Sequence, residues 1–153
     1  MPTITLANVH VLIRAALRTH LLTCSAVTSN DMVAFEGRDF ERPDDGVWVR
    51  ESFKPQTSDL QTIGPNGRIR HTGLYLIDCF RVANPKSTIA KPTVDIDTMA
   101  GTVMETFTPN RQLTYSGLTV TIRSAYRSGL IVSADLVQAP VTVSWYGDSF
   151  NSI

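Results

Sequence analysis

A tight turn between two β-forming stretches is the feature of this 153-residue chain that most limits its fold. The turn is Gly64-Pro65-Asn66-Gly67, whose Asn-Gly step supplies the positive φ angles that a short hairpin connection requires. Residues 59–63 and 68–82 flank it, so we predict a β-hairpin. The second arm has apolar side chains at consecutive positions, so both faces of that strand need to be covered. These side chains are Leu74, Tyr75, Leu76, Ile77, Cys79 and Phe80.

Two other segments have the periodicity of helices. In residues 3–23 and again in residues 93–107, apolar side chains recur every three or four positions, which predicts two helices with one core-facing side each. Further strands are predicted over residues 33–35, 47–53, 118–126, 130–138 and 141–146, and Lys54-Pro55 is expected to end the second of them. Two helices can cover one face of such a sheet and leave part of the other face to a neighbouring subunit.

The order of these elements predicts an α+β fold, with a mostly antiparallel β-sheet of about five to seven strands and two packed α-helices. The length is close to that of one domain, so residues 1–146 are expected to form a single unit. Residues 147–153 are predicted to be a C-terminal tail that is flexible or ordered by a partner. Residues 36–46 (EGRDFERPDDG) predict a charged loop.

Composition and motif spacing argue against several classes of function. Fourteen basic and fourteen acidic residues give a formal net charge of zero, unlike a dedicated nucleic-acid binder. The apolar stretches are too short to span a membrane, and the N-terminus lacks an export signal, so we expect a soluble protein made inside the cell. The two cysteines, the three histidines and the serines match no metal, redox or nucleophile motif. We therefore predict no catalytic residues, no cofactor, no metal and no enzyme activity.

A basic cluster remains as the candidate functional feature. Arg50 and Lys54 lie on one predicted strand, and Arg68, Arg70 and His71 lie on the hairpin arm that would pair beside it. One interpretation is a solvated rim whose charges discourage aggregation at a sheet edge. The other is a positive surface for an acidic partner or passing DNA, with apolar anchors nearby. The interface candidates are Phe40, Trp48, Arg50, Phe53, Lys54, Arg68, Arg70 and Tyr75.

Several of these residues form a pattern seen in a known family. The pattern consists of Trp48-Val49-Arg50 leading to Phe53, the turn over residues 64–67, and Arg70 followed by Gly73-Leu74-Tyr75 and residues 77–80. It resembles that of the tail terminator, or tail completion, proteins of long-tailed bacteriophages. The similarity covers residues 4–146, and its motifs are hydrophobic and turn patterns. Residues 36–46 and 147–153 carry no family pattern.

The resemblance implies a non-enzymatic virion protein, made in the host bacterial cytoplasm, that forms a ring, commonly a hexamer, on the last ring of the tail tube. Such a ring stops tube growth and joins the tail to the head or neck. The implied partners are other copies of the chain, the tail tube protein, a head or neck connector protein, and double-stranded DNA in transit. Two alternatives stay open at this stage: a head-completion or stopper ring protein of the neck, and a small hydrolytic or ligand-binding domain.

Overall fold

A computed structural model describes residues 4–43, 46–82, 92–133 and 135–150. Two α-helices, seven β-strands and one short 3-10 helix follow one another along these residues. Their bounds are α1 Val9–Leu21, 3-10 helix Asn30–Met32, β1 Val33–Ala34, β2 Val47–Leu60, β3 Arg68–Val82, α2 Pro92–Thr106, β4 Gln112–Tyr115, β5 Leu118–Arg127, β6 Ile131–Val132 and β7 Leu136–Phe150.

The seven strands form one sheet with the order β1-β2-β3-β7-β5-β4, and β6 pairs with β7 beside that path. β1 runs parallel to β2, and the other pairs are antiparallel. The predicted α+β class with a mostly antiparallel sheet is therefore confirmed. The hairpin turn also forms where the sequence predicted it, because Gly64 and Asn66 take positive φ angles of 104° and 61°.

Both helices lie on the same face of the sheet. The core-facing side chains of α1 are Val9, Ile13, Ala16, Leu17 and Leu21, and those of α2 are Ile96, Met99, Ala100 and Val103, followed by Phe107 just after the helix. The sheet meets them with alternate residues of its strands, among them Val49 and Phe53 of β2, Tyr75 and Ile77 of β3, and Val143 and Trp145 of β7. The core is the layer between this face and the two helices.

Several predicted boundaries were wrong. The strands predicted over residues 130–138 and 141–146 are the two-residue β6 and the single long β7. α1 begins at Val9, after a turn, and ends at Leu21. β2 continues through Pro55 to Leu60, because a register shift between Pro55 and Thr57 lets proline, which has no N–H, stay in an edge strand. Gly147 does not begin a tail, since β7 pairs with β3 as far as Phe150. Residues 151–153, also assigned to the tail, and residues 44–45 of the charged loop lie outside the described residues.

In the sequence, apolar and polar side chains alternate over residues 118–126, which predicts Leu118, Val120, Ile122 and Tyr126 on one side of the strand. A second irregularity breaks this alternation in the structure. Ile122 pairs with Trp145 and Ser124 pairs with Ser144, so Arg123 is an extra residue in β5. An extra residue reverses which face the following side chains occupy. Tyr126, expected on the apolar side with Ile122, is 52% exposed as a result.

Candidate assembly surface

The face of the sheet opposite the helices is a candidate assembly site, and we call it the uncovered face. It is formed by the strand residues that alternate with the core residues. Its members include Trp48, Arg50, Ser52 and Lys54 of β2; Arg70, Thr72, Leu74, Leu76, Asp78 and Phe80 of β3; Gln138, Pro140, Thr142, Ser144, Tyr146 and Asp148 of β7; and Thr121, Ser124 and Tyr126 of β5. No helix among the described residues packs on it. β3 was predicted to need cover on both faces, but the helices cover only one of them.

One end of the uncovered face is aromatic. The ring of Trp48 stacks on Phe80 with a centroid distance of 4.1 Å, and Phe40 lies against it at 5.0 Å. Trp48 and Phe80 are buried although no helix covers them, because flat rings shield one another across β2 and β3. The indole N–H of Trp48 has no hydrogen-bond acceptor among the described residues.

Arginine and aspartate side chains pair across neighbouring strands of the same face. Arg50 donates to Asp78 at 2.9 Å, and its guanidinium also lies 5.2 Å from the ring centre of Phe80. Arg70 donates two hydrogen bonds to Asp148, at 3.0 and 3.2 Å. Because the hydrogen bond to Asp148 stabilises the charged guanidinium, it raises the pKa of Arg70 above its ordinary value.

A second aromatic position lies beside the Arg70 pair. The guanidinium of Arg70 is 4.2 Å from the ring centre of Tyr146, and that of Arg123, the extra residue of β5, is 5.7 Å from the same ring. Arg68 reaches Asp148 at 3.8 Å. The uncovered face therefore combines arginines, aromatic rings and two aspartates, and the aspartates offset part of its positive charge.

The sequence-predicted interface residues divide between the two faces. Phe40, Trp48, Arg50, Lys54, Arg68 and Arg70 lie on or beside the uncovered face, although Trp48 is only 7% exposed and is not a free anchor. Phe53 and Tyr75 are corrected, because both point to the helices and are buried in the core. Phe53 stacks on Trp145, and Tyr75 packs near Phe107, the residue after α2.

His71, predicted as part of the basic cluster, is also a core residue. Its two ring nitrogens form hydrogen bonds, each of 2.7 Å, with the hydroxyls of Ser58 and Ser149. The ring also packs edge-on against His10. Burial lowers the pKa of His71, and the neighbouring His10 lowers it further. The neutral imidazole is therefore favoured, and His71 adds no positive charge to the surface.

A buried polar network that was not predicted from the sequence lies next to the edge of the sheet. The Glu51 carboxylate accepts hydrogen bonds from Nε of Arg18 at 2.6 Å, from the hydroxyl of Tyr75, and from the backbone N–H of Glu36 at 3.0 Å. The carboxylate of Glu36 in turn accepts from the backbone N–H of Phe53 at 2.7 Å. A usable signal was present, since Glu51 alternates in phase with the apolar residues Val49 and Phe53.

Among the described residues, the sheet also presents two free edges, at which no further strand pairs. β1 pairs with β2 only at Val49 and Arg50, and the Glu36 carboxylate then occupies the edge at Phe53. From Lys54 to Leu60 the side chains of β2 are exposed and no described residue pairs with that edge. The opposite edge is β4, beside which a groove of about 410 Å³ separates the strand from α1. Unpaired strand edges are templates for pairing with another chain.

The described residues hold no group of three or more His, Cys, Asp or Glu side chains that could bind a metal ion. No described helix is both long and apolar enough to cross a bilayer. An apolar and charged sheet face with two free strand edges is typical of a protein that assembles with other chains.

Comparison with known proteins identifies the family. The model of the phage tail terminator protein family matches residues 12–145, so the chain belongs to that family and to the structural proteins of phage virions. No curated protein sequence matches the chain.

Two solved structures are similar to the chain. One has a TM-score of 0.67 and 20% identity over 94% of this chain and 98% of its own. That likeness supports the fold. The other is a chain from a structure titled "Virion of native gene transfer agent (GTA) particle", with a TM-score of 0.47, 12% identity and coverage of 92% and 95%.

Proposed function

We propose that copies of this chain close into a ring, of six subunits, that caps the end of the tail tube, stops tube polymerisation and presents the surface to which the head or neck joins. The match of the tail terminator family over residues 12–145 carries this proposal. The protein acts through binding alone, without a catalytic centre. It is made in the host cytoplasm and functions in the virion.

The surfaces described above suit such a ring. A ring requires a heterologous interface, in which one patch of a subunit meets a different patch of the next. Two free sheet edges on opposite sides of the molecule supply two such patches. Purified protein is expected to be monomeric or weakly associated, because the ring gains most of its stability from partners bound only at the tube end.

Charge balance on the uncovered face fits passage of the genome. A lumen that neutralised many phosphates would hold DNA tightly. Arg50 and Arg70 are instead paired with Asp78 and Asp148 on their own subunit. In a ring whose opening is lined by the uncovered face, DNA would therefore contact a surface whose fixed charges are partly compensated.

The direct test is tail length in a phage that lacks this protein. We expect tubes of uncontrolled length without heads, and tubes of normal length when the wild-type protein is supplied in trans, both measured by electron microscopy. Tails of uniform normal length in its absence would contradict the proposal. Cross-linking of the protein to the portal side rather than to the tube would assign it to the stopper proteins of the neck instead.

A further inference from the structure

The two free edges of the sheet lie at the same height, which follows from the register of the strands. Two complete rows of paired residues cross the sheet from β2 to β4 through β3, β7 and β5. They are Thr57, Thr72, Tyr146, Thr121 and Gln112 in one row, and Ser58, His71, Gly147, Val120 and Leu113 in the next. Thr57 and Ser58 on one edge are therefore level with Gln112 and Leu113 on the other.

We propose that the free edge of β2 in one copy pairs with β4 of the next copy, as neighbouring parallel strands of a continuous sheet. This inference rests on the proposed ring and names the contact that would close it. The partner is a second copy of this chain, because each edge supplies what the other lacks in strand direction, in backbone groups and in side chains.

Strand direction agrees with a ring. Each of the four pairs between β2 and β4 across the sheet is antiparallel, so β2 and β4 run in the same direction. Rotation about an axis roughly along the strands keeps that direction, and the joined edges are then parallel. A two-fold dimer would instead pair β2 with β2 in the antiparallel sense.

The outward backbone groups of the two edges alternate in complementary phase. The N–H of Ile122 donates to the carbonyl of Arg111, so Gln112 and Thr114 turn their backbone groups outward from β4. The N–H of Gln61 donates to the carbonyl of Arg68, so Ser58 and Leu60 turn theirs outward from β2. In a parallel pair, the backbone N–H and C=O of one residue form hydrogen bonds with the two residues on either side of the residue opposite it in the neighbouring strand. Ser58 opposite Leu113 would therefore bond to Gln112 and Thr114.

The side chains on the helix-covered side match as well. Leu60 is 55% exposed at the edge of β2, and Tyr115 is 37% exposed at the edge of β4. Both lie two residues beyond the Ser58–Leu113 level, so the pairing brings these apolar groups together. The groove between β4 and α1, lined by Ala16, Thr19 and His20 among others, gives the side chains of the incoming strand room to enter.

The dimensions are consistent with a central opening. Five strands cross this level of each subunit. At about 4.8 Å per strand they span about 24 Å, so six copies would close a sheet ring about 46 Å across, measured through the backbone. The helices would lie outside this ring, and the uncovered face would line the opening.

Cysteine pairs test the contact directly. Asp59 and Thr114, one residue beyond the Ser58–Leu113 level, would be neighbours about 4.8 Å apart, within the range that a disulfide bridges. The double variant Asp59→Cys/Thr114→Cys, assembled with the tail tube protein and mildly oxidised, should give a ladder of covalent multimers up to a closed ring on non-reducing gels. Background reaction is expected to be low, since Cys24 and Cys79 are buried and burial raises the pKa of the Cys79 thiol to about 12.

Control variants separate the alternatives. Each single cysteine variant should give no covalent dimer, and neither should Asp59→Cys/Glu105→Cys, whose second cysteine lies on α2. Dimers from Asp59→Cys alone would indicate a two-fold β2–β2 contact and overturn the proposal. Rings that form and control tail length normally without any cross-link in the double variant would also overturn it, while leaving the proposed function intact.

A backbone variant gives an independent measurement. Thr114→Pro removes an outward N–H from an edge strand, where proline is tolerated, and Thr114→Val keeps that N–H. We expect both variants to be folded by circular dichroism, and at least a tenfold loss of ring formation by mass photometry for proline only. Equal ring formation by the two variants would contradict the pairing.

Discussion

Removal of the Glu51 carboxylate is expected to be the most destabilising single change in the polar network beside the sheet edge. Glu51 is 1% exposed and is the common acceptor for Arg18, Tyr75 and the N–H of Glu36. In Glu51→Ala the hydroxyl of Tyr75 remains buried without its partner, at a cost of about 1–3 kcal/mol. The side chain of Arg18 is 23% exposed and can regain contact with water, so its loss is smaller.

We expect the free energy of unfolding to fall by about 3 kcal/mol, at the lower end of the range for breaking a buried ion pair. For a chain of this length that corresponds to a decrease in Tm of about 6–12 °C. The assay is urea denaturation followed by tryptophan fluorescence, since Trp145 and Trp48 are both buried.

Two comparisons make the measurement specific. Asp78→Ala breaks a pair whose arginine side chain is 51% exposed, and should cost less than about 1 kcal/mol. In a double-mutant cycle, Glu51→Ala should lose less stability when Tyr75 is already phenylalanine, because the hydroxyl that would be stranded is gone. If Glu51→Ala and Asp78→Ala unfold at the same urea concentration, the reasoning about this network is wrong.

Three further predictions follow from particular contacts. Gly73→Ala should destabilise the fold by about 3 kcal/mol, because its Cβ would lie 2.5 Å from the Trp145 ring and 2.7 Å from the Lys54 carbonyl. Gly101→Ala, in open space on α2, should instead stabilise the fold by about 0.5–1 kcal/mol. Equal melting temperatures for the two variants would refute this prediction. Charge reversal by Arg50→Glu or Arg70→Glu should lower virion yield while changing Tm by only a few degrees, because it changes the charge of the uncovered face and not the core; normal virion yield would show that these two charges matter neither to assembly nor to DNA passage. Burial keeps the pKa of His71 in the folded protein below its value in the unfolded chain, so the unfolded state binds the extra proton first as pH falls. The free energy of unfolding should therefore decrease as pH decreases from about 7 to 5. A His71→Gln variant should show a flatter pH dependence in the same range, and an unchanged slope would exclude His71 as its source.

Local patterns predicted most of the elements because their causes are local. The Asn-Gly turn, the helical periodicity before residue 23 and after residue 93, and the apolar strand over residues 74–80 each depend on neighbouring residues only. The same patterns failed at Pro55, where a proline that normally ends a strand is accommodated at a bulge. They failed again at Gly147, whose strand continues because β3 is long enough to pair with it.

The candidate surface was recovered in part. Arg50, Lys54, Arg68 and Arg70 do share one face, since a hairpin brings alternate residues of its two arms to one face. They do not form one cluster, because Arg50 lies opposite Asp78 and Lys54 opposite Leu74, well along β3 from Arg68 and Arg70. Phe53 and Tyr75 were misassigned because aromatic residues that suit an interface also suit a core. The aspartates that pair with the arginines were not predicted, because each lies far from its arginine in the sequence. Asp78 is 28 residues from Arg50, and Asp148 is 78 residues from Arg70.

The sequence by itself determined the class of most elements, the hairpin and the family, because turn chemistry and hydrophobic periodicity act over a few residues. It did not predict β4, which is only four residues long. Only the tertiary structure decided which side chains lie on each face and which strand edges remain open. Both depend on register between strands distant in sequence, and one extra residue, such as Arg123 in β5, reverses the faces that follow it. The alignment of the free edges of β2 and β4 is fixed by four such registers at once, so it emerges only when the whole sheet is formed.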